Sequence, residues 1–332
     1  MGYLNFTMWI VIVLIGCAAA AWVFREALRR TMPEVIAKPA RQAPLTASFG
    51  VLVIILYALC AIFADLLAPY GEAQVFEKSL ILPGDDPEFV LGTDQIGRDI
   101  LSRLIYGARN TVGIALVTTI LAFLLGATLG FLAATVGGWL DQILSRTVDV
   151  LMSIPSLIFA LLLMTIASAW ASDIGEINFL LFSIDALTIF MILIIAVLDS
   201  TRVYRLARAV GLGIVVMDYI EAAKLRGEGL RYLIFKEILP NATAPLLAEF
   251  GLRFCFVFLT IAALSFLGLG IQPPLADWGS MVRDLATFIN YASFAPQAAA
   301  LPLMAAGAIA LLTVAVNFVV DWMLHRSSGL KE

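Results

Sequence analysis

Residues 111–135 form an unbroken apolar run, TVGIALVTTILAFLLGATLGFLAAT, that contains no charged side chain. A helix of about 20 such residues is long enough to cross the hydrocarbon core of a bilayer. Because lipid cannot satisfy backbone N–H and C=O groups, a segment of this kind must be helical or belong to a closed barrel. No alternation with a period of two residues is present, so the run is predicted to be a transmembrane helix.

Six other stretches have the same character. Together the seven predicted spans lie at about 5–24, 46–68, 111–135, 150–170, 180–198, 243–268 and 299–322. The whole composition agrees, since hydrophobic residues make up 61% of the 332 and charged residues only 14%. Soluble domains carry about 25% charged residues. The predicted fold class is therefore an all-α integral membrane protein with about seven transmembrane helices, and its main partner is the lipid bilayer.

Several functions are disfavoured by the same composition. The net charge of −4 and the lack of a basic face argue against nucleic-acid binding. The single histidine, His325, argues against a Ser-His-Asp or Cys-His catalytic centre. Cys17, Cys60 and Cys255 lie in separate apolar runs and indicate neither a disulfide framework nor a metal site. No catalytic residue, bound cofactor or metal is predicted for this chain.

Lysine and arginine predict the orientation, because cytoplasmic loops carry an excess of both. With the N-terminus outside, 15 of the 21 lie inside, mostly in the linker 25–45 and the loop 199–242. Five lie outside: Lys78, Arg98, Arg103, Arg109 and Arg283. The opposite orientation would reverse this bias. The C-terminus and the loop before the penultimate span are therefore predicted to be cytoplasmic.

The first span carries a possible processing signal, because residues 14–17, Leu-Ile-Gly-Cys, resemble a lipoprotein cleavage box. No basic residue precedes the apolar run, as one would in a secretory signal. Arg25, Arg29 and Arg30 follow it closely and disfavour export of the next segment. We therefore expect an uncleaved N-terminal anchor with a basic cytoplasmic linker over residues 1–45.

The stretch 217–241, MDYIEAAKLRGEGLRYLIFKEILPN, carries the most information about function. Asp218 and Glu221 have the spacing of a capping box, which predicts that a helix begins near residue 219. Ala222 and Ala223 favour the helix, and Gly227 can adopt the left-handed conformation that ends it.

The second half of this stretch predicts another helix, since Leu230, Leu233, Ile234 and Ile238 recur at helical spacing. Pro240 then permits entry into the next span. Two short helices joined by a glycine turn are therefore predicted between two spans. On these physical grounds alone, an amphipathic hairpin at the membrane surface remains an alternative interpretation.

Glu221-Ala222-Ala223, then Gly227, then Ile238-Leu239-Pro240 resemble the EAA loop of ABC importer permeases. Two further stretches are similar to segments of the dipeptide, oligopeptide and nickel permeases, in particular their C-type subunit. These are residues 91–109, LGTDQIGRDILSRLIYGAR, and residues 264–279, which contain LSFLGLG, QPP and WG. The resemblance covers residues 46–325 as a six-helix permease domain. The helix at 5–24 is additional, and 326–332 form a cytoplasmic tail.

This resemblance implies a permease subunit of a bacterial inner-membrane ABC importer, not an enzyme. It implies three kinds of protein partner: a second permease subunit, two ATPase subunits and an extracytoplasmic substrate-binding protein. ATP and Mg would be bound by the ATPase subunits. The loop would couple to the ATPases through Asp218, Glu221, Ala222, Ala223, Gly227, Ile238, Leu239 and Pro240. The expected cargo is di- or oligopeptides, with nickel or another solute as alternatives.

The absence of a P-loop agrees with a separate motor, because none of the five lysines follows a glycine. Two other classes of membrane protein are alternatives. An ion-coupled secondary transporter should show midplane carboxylates and broken helices in a repeat, and neither is evident. A non-transporting membrane scaffold is the second alternative.

Glu249 and Arg253 are two charged residues that the sequence places well inside one predicted span, 243–268. They lie four residues apart on one helical face and can form an ion pair. Charge within a membrane is costly and often functional. A structural pair and a path-lining or gating role both remain open.

Overall fold

The computed structural model describes residues 2–31, 43–178 and 183–327, which fold almost wholly as helices. Within those ranges, six helical segments are long and apolar enough to cross a membrane. They are Leu45–Ile62, Ile100–Val136, Ser156–Ile174, Ala186–Val215, Leu230–Phe266 and Pro296–Arg326. These correspond to the second to seventh predicted spans. The prediction of an all-α membrane protein is confirmed.

The predicted first span lies within helix α1, Gly2–Thr31. This helix is not among the six membrane-crossing segments, so the count of seven spans stays a prediction. Helix α1 packs against α2, Leu45–Ile62, and Nη1 of Arg25 donates to the carbonyl of Ala43 at 3.4 Å. Residues 32–42 of the predicted linker and 328–332 of the predicted tail lie outside the described residues.

The second of the six spans begins earlier than the predicted residue 111. After the short helix α3, Ala64–Leu67, and the irregular stretch 68–99, the span is built from three pieces. These are helix α4, Ile100–Gly107, a π-helical turn, Ala108–Val112, and helix α5, Gly113–Val136. The first turns of this span contain polar residues, which are buried by contacts between the helix and the preceding loop. A search for apolar segments therefore starts the span too late.

The predicted span 150–170 is divided in two at Pro155. Helix α6 spans Gly138–Ser153 and helix α7 spans Ser156–Ile174. Ile154 is extended (φ −94°, ψ 132°), which is the conformation that a following proline favours. Pro155 takes the N-cap position of α7, so it precedes the membrane helix instead of kinking it.

The predicted span 180–198 was too short at its C-terminal end. A small antiparallel hairpin, β1 (Glu176–Asn178) with β2 (Ser183–Asp185), leads into helix α8, Ala186–Val215. The Asp185 carboxylate accepts a hydrogen bond from the backbone N–H of Leu187 at 3.1 Å and caps α8. Because α8 continues to residue 215, three arginines assigned to the following loop lie on the helix: Arg202, Arg205 and Arg208.

Helices α5 and α8 approach each other through small residues. A side chain at Gly126 would place its Cβ 2.7 Å from Cβ of Val203, and one at Gly130 would lie 2.8 Å from Cβ of Ala207. Both distances are shorter than real side chains tolerate. Glycine is therefore required on α5, in the manner of small-residue packing between membrane helices.

The C-terminal half contains five more helices. They are α9 (Asp218–Leu225), α10 (Leu230–Tyr232), α11 (Leu239–Phe266), α12 (Trp278–Leu285) and α13 (Ala300–Ser327). A π-helical segment, Leu233–Ile238, joins α10 to α11, and two 3₁₀ turns, Ala286–Tyr291 and Pro296–Ala299, precede α13. Helix α13 packs against both α2 and α11, so the last span closes against the first of the six.

Candidate functional site

The predicted coupling loop joins α8 to α11 and begins with helix α9. The helix ends in a Schellman motif, in which the N–H of Glu228 donates to the carbonyl of Ala223 (3.2 Å) and that of Gly227 to Lys224 (3.0 Å). Gly227 has φ +81°, a conformation that costs other residues about 1–2 kcal/mol. Gly227 therefore ends α9 and turns the chain back toward the membrane domain.

The predicted capping box at the start of α9 is wrong. Met217 takes the N-cap position with no side-chain hydrogen bond, and Asp218 is already the first helical residue. Because Asp218 has helical geometry, its carboxylate is one position too far along to cap the helix. Asp218 and Glu221 still stand in the first turn, where negative charge interacts favourably with the helix dipole.

One face of α9 is buried in an apolar cluster. Ile220 and Ala223 are both fully buried, so the second alanine of the triplet is needed for its small size. The cluster draws on four other elements, α5, α8, the π-helical segment and α11: Phe131, Ala207, Ile214, Leu233, Ile234, Ile238, Ala242 and Leu246. The loop is therefore packed against the ends of both spans that it connects.

The opposite face of α9 is exposed. Large apolar side chains stand out among charged ones, with Leu225 at 83% and Val216 at 79% exposure. Met217 and Tyr219 are also exposed, as are Asp218, Glu221, Ala222 and Lys224. Mixed apolar and charged exposure of this kind has the composition of a protein-contact surface.

The second half of the loop differs from the separate short helix that the sequence predicts. No separate short helix ends at Pro240, because α10, the π-helical segment and α11 form one continuous element from Leu230 to Phe266. Proline has no N–H to donate and crowds the preceding turn. The wider π-helical segment directly before Pro240 accommodates this. Ile238 is fully buried, Leu239 partly buried, and Pro240 exposed.

The two intramembrane charges lie in the middle of α11 and meet a third from α8. Nε of Arg253 is 2.7 Å from Oε1 of Glu249, and Nη1 of Arg253 is 3.7 Å from Oδ1 of Asp199. The three side chains are mostly buried, with exposures of 9%, 21% and 12% for Arg253, Glu249 and Asp199. Sequence reasoning missed Asp199, because it ended the span at residue 198 and placed this carboxylate at the membrane edge.

At the end of the membrane domain opposite to α9, the stretches 91–109 and 264–279, which carry the rest of the family resemblance, pack together. The indole Nε1 of Trp278 donates to the carbonyl of Leu104 at 2.9 Å, and the Thr111 hydroxyl donates to the Asp277 carboxylate at 2.9 Å. Glu72 accepts from the side chain of Asn110 at 2.7 Å and also from the backbone N–H of Ala276. The segments 69–111 and 267–299 thus form one cap, which hydrogen bonds hold together.

Asp277 is the most deeply buried charged residue of this cap. Burial raises the pKa of its carboxyl group, while hydrogen bonds from Ser280 and Thr111 act in the opposite direction. The carboxylate also caps α12, because it accepts from the backbone N–H of Ser280 at 2.8 Å. Asp94 and Asp99 are also buried in the cap, where they accept hydrogen bonds from Arg98 and Ser102.

Nothing in the described residues assembles a metal site, since no three His, Cys, Asp or Glu side chains lie close enough together to hold an ion. Cys17, Cys60 and Cys255 are free thiols. The described residues offer an exposed apolar and charged face on α9, a buried ion cluster and a hydrogen-bonded cap.

Comparison with known proteins gives the same picture. The family model described as binding-protein-dependent transport system inner membrane component matches residues 126–328. The di/tripeptide transport system permease protein DppC of Pseudomonas aeruginosa is 35% identical over 248 residues, which cover 73% of this chain and 76% of that protein. The dipeptide permease protein DppC of Haemophilus influenzae is 32% identical over 253 residues (75% and 80%). The glutathione permease protein GsiD of Pectobacterium atrosepticum is 29% identical over 308 residues (90% and 94%).

The helical membrane fold and these matches define a multi-pass membrane permease. The chain belongs to the family of binding-protein-dependent transport system inner membrane components, and it is a permease subunit of an ABC importer of the dipeptide and oligopeptide family. The family consists of transport permeases, not enzymes, and its members act with other ABC components. The alternatives of a secondary transporter and a scaffold gain no support.

Proposed function

We propose that this chain forms half of a path for di- or oligopeptides and that the loop 217–239 couples the path to ATP hydrolysis. The observation that carries the coupling role is the two-sided packing of α9. Ile220 and Ala223 are fully buried against the ends of α8 and α11, while the opposite face of α9 is exposed. A force on the exposed face is therefore passed to both spans.

The peptide cargo is supported by the relatives, which are named for dipeptides, di- and tripeptides, and glutathione. The proposed assembly contains a second permease subunit, two ATPase subunits that bind ATP and Mg, and an extracytoplasmic binding protein. Because no lysine of this chain follows a glycine, the nucleotide site belongs to the separate ATPases. We place the assembly in the bacterial inner membrane.

The proposed mechanism is a movement of α9 that tilts or slides the attached spans. Closure of the ATPases around ATP would displace α9, and the buried cluster would carry that displacement to α8 and α11. Small shifts of packed helices are a known way of switching between conformational states. The path would then open to alternate sides of the membrane.

The sharpest test of the loop compares two neighbouring glycines. Neither Gly227 nor Gly229 has an atom near the position of an added Cβ, but only Gly227 has a positive φ. Gly227→Val should therefore strain the backbone by about 1–2 kcal/mol, and Gly229→Ala should not. We expect Gly227→Val to lower peptide uptake and ATPase copurification about 5- to 30-fold.

Gly229→Ala is the matched control and should behave as wild type, because Gly229 has φ −78°. Both variants should reach normal membrane levels. Normal ATP-driven uptake by Gly227→Val would rule out the proposed role of the loop.

The coupling role also requires the loop and the C-terminus to be cytoplasmic. Single cysteines at Ser79 and Ser327, in a background without Cys17, Cys60 and Cys255, can be treated with an impermeant thiol reagent in spheroplasts. We expect labelling at 79 in sealed cells and at 327 only after the membrane is opened. Labelling at 327 in sealed cells would place the tail outside, and the loop with it.

A further inference from the structure

The ion cluster between α8 and α11 contains one shared cation. Asp199 lies near the middle of α8, and Glu249 and Arg253 near the middle of α11. Arg253 stands between the two carboxylates, with its own helix supplying one and the neighbouring helix the other. One guanidinium therefore serves two buried anions that belong to different spans.

The two pairings are unequal. Arg253 approaches Glu249 to 2.7 Å, but it stays 3.7 Å from Asp199. Neither Nε nor Nη1 of Arg253 is aligned for a hydrogen bond with any described residue, although both atoms are buried. A buried guanidinium with unused N–H groups is unfavourable, because the lost hydration is not replaced. The cluster is thus not in its best-bonded arrangement.

Only a small displacement separates the two arrangements. A charge-assisted N–H···O bond is about 2.7–2.9 Å long. The 3.7 Å between Nη1 of Arg253 and Oδ1 of Asp199 would reach that length if the groups moved about 1 Å closer. Shifts of 1–2 Å between packed helices are typical of conformational transitions.

The surroundings keep both arrangements compensated. The guanidinium of Arg253 lies 4.6 Å from the ring centre of Phe256, and that of Arg202 lies 5.7 Å from it. Arg202 follows Asp199 by three residues on α8, so the two side chains are neighbours on one face of that helix. Arg202 can therefore compensate Asp199 while Arg253 is held by Glu249, and Phe256 gives the guanidinium of Arg253 a surface over which it can turn.

The two helices that carry this cluster are the two that the loop 217–239 connects. We propose that Arg253 is a positioning residue that changes partner during transport, held by Glu249 within α11 in one state and by Asp199 of α8 in the other. This inference rests on the proposed coupling role of the loop. A displacement of α9 moves α8 against α11, and the exchange of ion pairs holds each of the two helix positions in turn.

Three substitutions test the exchange. Asp199→Asn removes the charge that attracts Arg253 across to α8 and favours the Glu249 pairing. Glu249→Gln removes the competing charge and favours the Asp199 pairing. Asp199→Glu adds one methylene group, shortens the remaining gap, and should act in the same direction as Glu249→Gln.

The measurement is the rate of ATP hydrolysis by the purified permease–ATPase complex in lipid vesicles without binding protein. We expect Asp199→Glu and Glu249→Gln to change the rate in one direction and Asp199→Asn in the other, each about fivefold. A purely structural cluster would give losses in the same direction for all three. Asp173→Asn is the control. It changes an exposed carboxylate near the C-terminal end of α7 and should leave the rate unchanged.

Opposite effects of Asp199→Glu and Glu249→Gln, or unchanged rates for both, would overturn the inference. If Asp199→Asn fails to assemble, a rise in the rate for both Asp199→Glu and Glu249→Gln still supports the exchange, whereas a loss for both, which a purely structural cluster also gives, overturns it. Gly227→Val in the same assay separates the two proposals. An impaired Gly227→Val with unaffected cluster variants rejects only the ion-pair exchange, whereas a normal Gly227→Val rejects the coupling role itself.

Discussion

The loop between α8 and α11 and the cap formed by segments 69–111 and 267–299 both connect membrane spans, but different interactions hold them. In the cap, Thr111, Asp277 and Trp278 are buried and joined by directional hydrogen bonds. In the loop, residues 217–236 make no side-chain hydrogen bond within the described chain, and the one ion pair there, Arg226 with Glu228, is 3.9 Å long. Apolar packing around Ile220 holds the loop instead.

This difference bears on what each region can do. A hydrogen bond weakens steeply when its geometry changes, whereas apolar burial is non-directional. The cap is therefore expected to keep one shape, and the loop to slide by small amounts without losing its stabilising contacts. Four substitutions, taken from the largest expected effect on stability to the smallest, test this comparison.

Trp278→Ala should have the largest effect. The indole is buried, lies edge-on to Tyr57 at 5.4 Å and donates a hydrogen bond to Leu104. Its removal leaves a cavity and takes one hydrogen bond from the Leu104 carbonyl, so we expect a loss of about 3–5 kcal/mol. Thermal unfolding of the detergent-solubilised complex measures this. Tyr291→Ala, at an exposed residue of the same segment, should change little, and equal losses for both would contradict a cap fixed by Trp278.

Ile220→Ala should come second and should affect coupling more than folding. The side chain is fully buried between α9 and the span ends, and truncation of such a residue costs at least about 2 kcal/mol. Because α9 would loosen from α8 and α11, ATP hydrolysis per peptide imported should rise. Tyr219→Ala, on the exposed side of the same helix, is the control. An unchanged ratio for Ile220→Ala would show that this packing does not transmit force.

Gln95→Ala should have a smaller effect on the cap. Its amide donates to the carbonyl of Asp284 at 3.0 Å and to the hydroxyl of Thr287 at 2.9 Å, so it ties the two segments of the cap together. Loss of these partly exposed bonds should cost about 1 kcal/mol. Gln297→Ala, at an exposed glutamine of the cap, is the control. A loss from Gln95→Ala as large as that from Trp278→Ala would mean that hydrogen bonds, not burial, dominate the cap.

Leu225→Asp should change stability least, within about 0.5 kcal/mol, because the side chain is 83% exposed. If the exposed face of α9 contacts an ATPase subunit, the same change should weaken copurification of that subunit. Leu66→Asp, at 80% exposure beside the cap, is the matched control and should leave copurification intact. Loss of the ATPase in both variants would indicate general disassembly instead of a specific contact.

Much of this architecture is already present in the sequence. Apolar runs of about 20 residues identify the spans because every backbone group in lipid must be satisfied within the segment. The family, which the comparisons establish, could be identified from the resemblance to the EAA loop. Residues 221–223, 227 and 238–240 carry that resemblance. Gly227 could be recognised as a helix terminator because a positive φ favours glycine on local grounds alone.

Tertiary structure decided the features that depend on distant residues. Asp218 is inside α9 instead of capping it, and α11 continues through Pro240, because burial of Ile220 and Ile238 sets the position of both arms. Asp277 meets Thr111 across more than 160 positions, a contact that no local pattern encodes. The same holds for Asp199 and Arg253. Their charges were visible in the sequence, but only the packing of α8 against α11 places one guanidinium between two buried carboxylates.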